Sequence, residues 1–306
     1  MRWRKLGLVY RPAGDRAWAR SHAHLPTPYR LDERTIRVYF AALDDQQFGR
    51  IGFVDVEVAD PTRLLRVGDE PALDLGDVGT FDDCGAVPSC VAEVGGRPAL
   101  YYIGFQRAER VPYMLFTGLA FGRPGLDRWE RRSRTPILDR TDREPFSRSA
   151  PCVLLVDGGY RMWYWSCERW TPTEGGVPHY NNVIRHARSA DGIDWKADDR
   201  PCLEPHLPDE YALGRPAVVR DGGRYSMWFS ARSHSRAYVI GYAESDDGLR
   251  WVRDDERVGI ARSETGWDGE MICYPAVIDA NGRRFMFYNG NRHGATGFGV
   301  AELDQD

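Results

Sequence analysis

The sequence predicts an all-β fold, a five-bladed β-propeller with four-stranded blades. The main observation is an internal repeat with a step of about 60 residues, because self-similarity at a fixed period is typical of repeat architectures. A second is the recurrence of Gly- and Asn-containing turns inside the repeats, and a third is the aromatic content of 12% with 32 glycines in 306 residues. Four short strands per repeat, repeated five times, close radially into a propeller.

Each repeat opens with a proline at the start of an apolar strand. These prolines are Pro26, Pro88, Pro151, Pro216 and Pro275. The repeats begin near residues 25, 87, 150, 215 and 274, and their first two strands read LPTPYRLDERTIRVYFAAL, VPSCVAEVGGRPALYYIGF, APCVLLVDGGYRMWYWS, RPAVVRDGGRYSMWFSAR and YPAVIDANGRRFMFYNGN. The turns GG, DGG and NG indicate β-hairpins, since Gly and Asn tolerate positive φ.

A third and a fourth strand complete each repeat. The third strands include NNVIRHARS, YVIGYAES and TGFGVAEL, and two repeats then carry S-x-D-G-x-x-W, ending at Trp195 and Trp251. Asp and Gly form the turn there, and we expect the Trp to pack between neighbouring blades. The last repeat ends after its third strand, so the N-terminal LGLVYRP is expected to supply the missing outer strand and close the ring. Residues 1–306 are therefore predicted to be one domain.

Composition excludes several functional classes. The net charge is −4, from 41 Lys and Arg against 45 Asp and Glu, with no basic face for nucleic acid. No signal peptide and no membrane-spanning run is recognisable, so we expect a cytoplasmic protein without membrane partners. Such a chain needs no disulfides, and its cysteines are expected to be reduced. The sequence leaves the oligomeric state open.

The candidate site lies just before the five prolines. In a propeller the innermost strands surround a central channel, and their ends line a funnel. The segments that precede the prolines are SHAHL, DDCGAV, FSRSA, EYALGR and EMICY. They bring polar and ionisable groups from all five blades, and each would be costly to bury unless it were paired or solvated. The pattern predicts a ligand funnel.

The carboxylates in these segments are the candidate catalytic groups. Asp83 and Glu270 share a position, five residues before their prolines, and Asp82 is a third candidate. Two carboxyl groups flanking one bond are the minimal equipment of a glycosidase. We expect them to face each other with Arg148 and Arg215 between them. Asp82 is equally interpretable as turn chemistry.

Further candidates would bind the substrate. The substrate-binding set is His22, His24, Arg148, Glu168, Arg215, Arg232, Tyr274, Asn291 and Trp165. His22 and His24 could form a metal pair, but no third ligand is evident, so hydrogen bonding to the ligand is the preferred interpretation. The alternative to substrate binding is a charge at the rim of the funnel for Glu168 and packing between blades for Trp165. The residues indicate no cofactor and no central cation such as Ca²⁺.

The chain resembles a known family over nearly its whole length. The segments FDDCGAVPS, LYYIGF, SAPCVLL, GRPAVV, MWFSAR, YVIGYAESDDGLRW, WDGEMICYPAVI and YNGNRHGATGFG resemble the five-bladed propeller glycoside hydrolases of the family 43/32/130 type. They are closest to a bacterial branch found among polysaccharide and sugar-tailoring genes. The resemblance implies three catalytic carboxylates. This sequence departs from that layout, with SHAHLP in the first repeat and Arg215 before the fourth proline.

These observations predict a carbohydrate-active enzyme of the glycoside hydrolase type. Its substrate would be a small glycosyl or nucleotide-sugar-like intermediate, with Glu270 as the proton donor and Asp83 as the base or nucleophile. One alternative is a phosphorylase, lyase, cyclase or isomerase built on the same fold. The other is a non-catalytic sugar-binding or scaffold propeller, because fold alone does not establish function.

Overall fold

The computed structural model describes residues 1–174 and 176–304, which form strands joined by short loops. The strands are β1 Trp3–Tyr10, β2 Ser21–Arg30, β3 Thr35–Leu43, β4 Gly49–Glu57, β5 Leu64–Val67, β6 Gly85–Val94, β7 Arg97–Arg107, β8 Tyr113–Gly122, β9 Trp129–Arg131, β10 Arg148–Val156, β11 Gly159–Thr171, β12 His179–Ser189, β13 Lys196–Ala197, β14 Glu210–Asp221, β15 Arg224–Ser233, β16 Val239–Ser245, β17 Val252–Arg253, β18 Cys273–Ala280, β19 Arg283–Asn289 and β20 Phe298–Leu303. The segment α1, Asn291–Gly294, is a single turn in which Arg292 and His293 have left-handed backbone angles, and a short 3₁₀ helix spans Asp255–Arg257.

The strands form one four-stranded sheet and two eight-stranded sheets, and each eight-stranded sheet consists of two four-stranded antiparallel units joined by one parallel pair, β4–β6 or β12–β14. Units 1 to 4 are β2–β5, β6–β9, β10–β13 and β14–β17, and unit 5 is β18–β20 with β1. The inner strands β2, β6, β10, β14 and β18 each contact the next, and β18 contacts β2, so the units form a ring. The predicted all-β propeller is confirmed. So is the closing role of the N-terminal strand, since β1 pairs antiparallel with β20.

The two S-x-D-G-x-x-W turns fasten units 3 and 4 to the units that precede them. Trp251 of unit 4 packs edge-on against Trp163 of unit 3, with ring centroids 6.3 Å apart. The same Trp163 donates its indole N–H to the carbonyl of Gly248 in that turn, at 2.8 Å. Trp195 packs in the same way on Tyr101 of unit 2. The predicted packing of these tryptophans between neighbouring units is therefore confirmed.

An irregular backbone conformation next to the repeat prolines shapes the centre of the ring. The residues before four of the five prolines, Leu25, Ala150, Arg215 and Tyr274, have φ between 47° and 56°. The register with the second strand shifts at the same places. A positive φ combined with a shifted register re-aims side chains as a β-bulge does. These residues consequently reach the centre of the ring.

Two sequence-based expectations concern cysteines and membranes. All six cysteines, Cys84, Cys90, Cys152, Cys167, Cys202 and Cys273, are free thiols, as the sequence predicts. In the part of the chain that the structure describes, no helix has the length and apolar character needed to cross a membrane.

Candidate functional site

A central cavity of about 530 Å³ opens at the beginning of the five inner strands. Every unit contributes to it, and the residue before each proline lines its wall: Leu25, Val87, Ala150, Arg215 and Tyr274. The volume lies within the range of about 300–1,000 Å³ that is usual for small-molecule sites. The predicted funnel is therefore present, and the position before the proline is the one that reaches it.

The lining of this cavity is aromatic and basic. Its polar and aromatic members are His22, His24, Gln47, Cys84, Phe105, Tyr113, Trp165, Tyr180, Asn182, Arg215, Arg232, Tyr238, Tyr274 and His293. Among the described residues that line it there is no Asp, Glu or Lys. Six of the sequence-predicted binding residues lie here, namely His22, His24, Trp165, Arg215, Arg232 and Tyr274. The predicted catalytic carboxylates do not.

Arg232 is the cation at the mouth of the cavity. It lies on β15 and donates from Nη1 to the Tyr180 hydroxyl at 2.6 Å. Its guanidinium stands 5.2 Å from the ring centroid of Tyr238 and 5.6 Å from that of Tyr211. The described carboxylates form no ion pair with it, so neutral groups alone hold this charge in place. Such a cation is free to bind an anionic group of a ligand.

Three histidines from units 1 and 5 line the same cavity. His22 and His24 stack with ring centroids 4.6 Å apart, and His293 reaches them from α1, where its φ is 58°. Burial lowers the pKa of His24 to about 3, helped by the neighbouring His22 and His293. Burial and the Arg232 charge lower the pKa of His293 to about 4. Both rings are therefore neutral near pH 7.

These depressed pKa values predict a stability that falls with acid. Between pH 6.5 and about 4 the unfolded chain binds more protons at His24 and His293 than the folded chain does. The contribution of the two neutral histidines to the free energy of unfolding should be complete above pH 6.5. It should be lost progressively toward pH 4, by up to about 1.4 kcal/mol per pH unit for each histidine. Urea unfolding midpoints between pH 4.5 and 7.5 measure this slope.

The matched comparison is the double variant His24→Gln/His293→Gln. Its slope should be shallower but not flat, because burial also lowers the pKa of His22 and His186. An unchanged slope in the double variant would contradict the neutral, buried state of the two rings.

Asp82 does not line the central cavity. Its side chain is fully buried inside unit 2. One carboxylate oxygen, Oδ2, accepts hydrogen bonds from Arg131 Nε at 2.7 Å and from the Tyr102 hydroxyl at 2.9 Å. The other, Oδ1, accepts one from Thr80 Oγ1 at 3.1 Å. The prediction that it faces the funnel is wrong, because these partners hold it between the strands of its own unit.

The same position is occupied by a carboxylate in four units. Asp82, Glu144, Glu210 and Asp268 come six or seven residues before their prolines, and each is paired with a cation: Arg131, Arg148, Arg253 and Lys5 respectively. In units 2, 3 and 5 the carboxylate also accepts the hydroxyl of a middle-strand Tyr. This repeated pair fastens the loop before each inner strand to the body of its unit.

Arg148 is the cation of the carboxylate–cation pair in unit 3, and Glu168 belongs to a neighbouring ion pair. Arg148 is buried and bonds Glu144 at 3.0 Å, while Glu168 accepts Arg185 at 2.9 Å on the outer side. Neither lines the central cavity, so the prediction of a funnel position for Arg148 is wrong. Glu168 takes the rim position that the sequence left as its alternative.

Asp83 and Glu270 are not brought together in the cavity. The Asp83 carboxylate accepts the backbone N–H of Gly79 at 2.9 Å. Glu270 is exposed in a separate surface depression with Arg262 and Glu264. Five residues before the proline, the chain has not yet entered the inner strand in either unit. The expected face-to-face arrangement of these carboxylates is therefore not found.

Asn291 is also structural. Its Oδ1 accepts the backbone N–H groups of Glu270 and Met271, and its Nδ2 donates to Gly266. It thereby fixes the loop before β18 and the start of α1, and through α1 the position of His293. Within residues 1–174 and 176–304, no three His, Cys, Asp or Glu side chains are arranged to hold a metal ion.

Several residues that line the central cavity were not predicted from the sequence. Tyr113 and Tyr180 lie at the start of the third strands of units 2 and 3, and Tyr238 directly precedes that of unit 4. His293 precedes the third strand of unit 5. The third strand starts beside the end of the aromatic strand, at the cavity. The recurring signal, a Tyr or His at that start, was available in YMLF, HYNN and AYVI.

Comparison with known proteins places the chain in a family. It is 41% identical over 304 residues to Uncharacterized protein Rv1502 of Mycobacterium tuberculosis (strain ATCC 25618 / H37Rv), covering 99% of this chain and 100% of the relative. Uncharacterized protein MT1551 of strain CDC 1551 / Oshkosh matches equally, at 41% over 304 residues. No family model matches the chain.

Solved structures share the fold at much lower identity. A glycoside hydrolase superposes with a TM-score of 0.76 at 18% identity, over 98% of this chain and 90% of the other. A thermostable family-43 glycoside hydrolase superposes with a TM-score of 0.70 at 18% identity, over 94% and 91%. At these identities the likeness concerns the fold. The chain belongs to the family of Rv1502 and MT1551, and its fold is that of the propeller glycoside hydrolases.

Proposed function

We propose that the chain is a carbohydrate-active enzyme whose central cavity binds a small, negatively charged sugar. The observation that carries this proposal is the lining itself, which among the described residues has two arginines, three histidines and no carboxylate. An anionic ligand meets attraction and no like-charge repulsion in such a cavity. The shared fold supports the sugar class, because solved proteins with this fold include glycoside hydrolases.

The sugar's anionic group would bind Arg232. A carboxylate or phosphate matches the planar guanidinium donors, which the Tyr180 hydroxyl already orients. The sugar ring would pack on aromatic faces, which Trp165, Tyr113 and Tyr274 provide around the same cavity. Aromatic side chains combine a large apolar surface with a polar edge, as a ring that carries hydroxyl groups requires.

Proton transfer would fall to histidine and tyrosine. Two-carboxylate glycoside hydrolysis needs a pair of Asp or Glu beside the scissile bond, and the lining contains none. His293 is neutral and lies near enough to Arg232 for that charge to lower its pKa. In this scheme His293 removes the proton from the carbon next to the substrate's carboxylate, and Arg232 stabilises the negative charge that develops there. In an elimination the electron pair of the broken C–H bond forms a carbon–carbon double bond, while the oxygen substituent on the adjacent carbon leaves and takes a proton from a lining tyrosine hydroxyl. In an isomerisation the proton returns to the substrate at a different carbon or on the opposite face. The reaction class is then elimination or isomerisation, the lyase-type alternative.

A turnover assay tests this proposal. Uronic acids, sugar phosphates and nucleotide sugars are incubated with the protein in D₂O, with and without phosphate, and products are followed by mass spectrometry. Proton abstraction predicts a product without added water or phosphate, or deuterium incorporation into recovered substrate. His293→Gln should abolish turnover and leave substrate binding within a few-fold. A phosphate-dependent product, or hydrolysis that persists in His293→Gln, would overturn the scheme.

The sequence-predicted carboxylates give a matched test of the same scheme. Asp83→Asn and Glu270→Gln should leave the dissociation constant and kcat within about threefold of the parent protein, because neither side chain lines the cavity. Calorimetric binding and the turnover assay measure both quantities. A loss of 100-fold or more in kcat for either variant would restore the two-carboxylate mechanism, since removing a general acid or base typically costs about 10²–10⁴ in rate.

A further inference from the structure

A second, smaller cavity lies in the channel below the central one. Its volume is about 120 Å³, and the inner strands of all five units surround it. Its polar lining groups are Thr27, Ser89, Cys90, Cys152 and Arg215. Of these, only Arg215 also lines the central cavity. Arg215 therefore stands at the boundary between the two spaces.

The Arg215 guanidinium points into the smaller cavity. Its Nη2 donates to the Pro26 carbonyl at 3.1 Å and to Thr27 Oγ1 at 3.2 Å. Thr27 lines the smaller cavity and not the central one. Burial lowers the pKa of its guanidinium to about 10, and Cys90, Cys152 and Tyr274 are close enough to interact with it electrostatically. The residue is 3% exposed, and its Nη1 has no hydrogen-bond partner among the residues that the structure describes.

No negative charge balances this guanidinium. None of the ion pairs formed by the described residues includes Arg215, and no Asp or Glu lines the smaller cavity. Burial raises the pKa of both Cys90 and Cys152, so the thiols are protonated and neutral. The Ser89 hydroxyl is directed at the Pro151 carbonyl, at 2.7 Å. An isolated buried charge of this kind is strongly unfavourable unless it is paired.

We propose that the smaller cavity is a halide site, in which a chloride ion binds Arg215 Nη1. A monatomic anion fits a space of about 120 Å³ and neutralises the guanidinium, whereas a water molecule would satisfy Nη1 and leave the charge unbalanced. The neutral thiol of Cys90 is a weak second donor. The ion would join the inner strands of all five units at the axis of the ring. Arg215 is shared with the lining of the central cavity, so a bound chloride would offset one of the two arginine charges there and leave that of Arg232.

Unfolding in matched salts tests the site. Urea unfolding is followed in sodium chloride and in sodium methanesulfonate at equal ionic strength. A ligand that binds only the folded chain lowers the unfolding equilibrium constant about tenfold for each tenfold rise in its concentration above the dissociation constant. The unfolding equilibrium of the parent protein should show this dependence on the chloride concentration and not on the methanesulfonate concentration. Arg215→Met should lose it, and Arg232→Met should retain it, because Arg232 lines the central cavity and a separate surface depression but not the smaller cavity.

Bromide crystals provide a second measurement that does not need the variant to fold. Anomalous scattering from crystals of the parent protein grown in sodium bromide should show a peak within hydrogen-bonding distance of Arg215 Nη1. The proposal is overturned if no peak appears there. It is equally overturned if the parent protein unfolds alike in both salts, or if Arg215→Met keeps the chloride dependence.

Discussion

Arg232→Met is expected to weaken the binding of an anionic sugar by a factor of about 30 to 5,000. This range corresponds to the 2–5 kcal/mol that loss of one partner of a buried, hydrogen-bonded charge pair typically costs. Methionine keeps much of the side-chain volume and removes the charge. The ligand's anionic group would then face Tyr180 and Tyr238, which can donate hydrogen bonds but carry no compensating charge. Isothermal titration calorimetry of parent and variant measures the ratio of dissociation constants.

Arg97→Met is the control for this effect. Arg97 is exposed on unit 2 and stands over a ring, Phe121, at 4.7 Å, so the control removes the same charge from a similar aromatic contact away from the cavity. The dissociation constant of the anionic sugar from Arg97→Met should stay within about twofold of the parent value. Equal losses in the two variants would show that net charge, and not the cavity, governs binding.

Glu144→Gln is expected to lower the free energy of unfolding by about 3–5 kcal/mol, the typical result of removing one member of a buried ion pair. Glu144 contacts Arg148 at 3.0 Å and Arg185 at 3.6 Å, and it accepts the Tyr164 hydroxyl at 3.0 Å. The side chains of Glu144, Arg148 and Arg185 are at most 8% exposed. The neutral amide would leave two buried guanidinium groups with one remaining carboxylate, Glu168. Urea unfolding monitored by tryptophan fluorescence gives the difference.

The matched surface change is Glu130→Gln. Glu130 pairs with Arg123 at 3.5 Å, and both side chains are more than 60% exposed. An exposed pair contributes about 0–1 kcal/mol, so this variant should unfold nearly as the parent does. If Glu144→Gln were as mild as Glu130→Gln, the repeated carboxylate–cation pair would not fasten the loops before the inner strands.

The fold could be predicted because its determinants repeat along the chain. The prolines, the hairpin turns and the S-x-D-G-x-x-W segments each recur at matching places, so one copy corroborates another. The closing strand followed from the missing fourth strand of the last repeat. These are local patterns with a fixed relation to strand and turn, and the structure pairs the strands accordingly.

The site was predicted only in part, because side-chain direction within a loop is not encoded by distance from the proline. Position before the proline correctly placed Arg215 and Tyr274 in the cavity, since the shifted register there points inward. The same counting assigned Asp82 and Arg148 to the funnel, although Asp82 pairs with Arg131, 49 residues further along the chain, and Arg148 pairs with Glu144, four residues before it. Counting from the proline could not reveal these pairs, because the cation lies at a different distance from the carboxylate in each unit.

Binding of charged and neutral sugars of matched structure tests the central claim most directly. Pairs such as a uronic acid with its parent hexose, and a hexose phosphate with the free hexose, are titrated into the protein by calorimetry. The account predicts that only the negatively charged members of the pairs bind. It also predicts that Arg232→Met removes this binding while Asp83→Asn/Glu270→Gln preserves it. Equal binding of a neutral sugar and its charged counterpart, or loss of binding in the carboxylate variant alone, would contradict it.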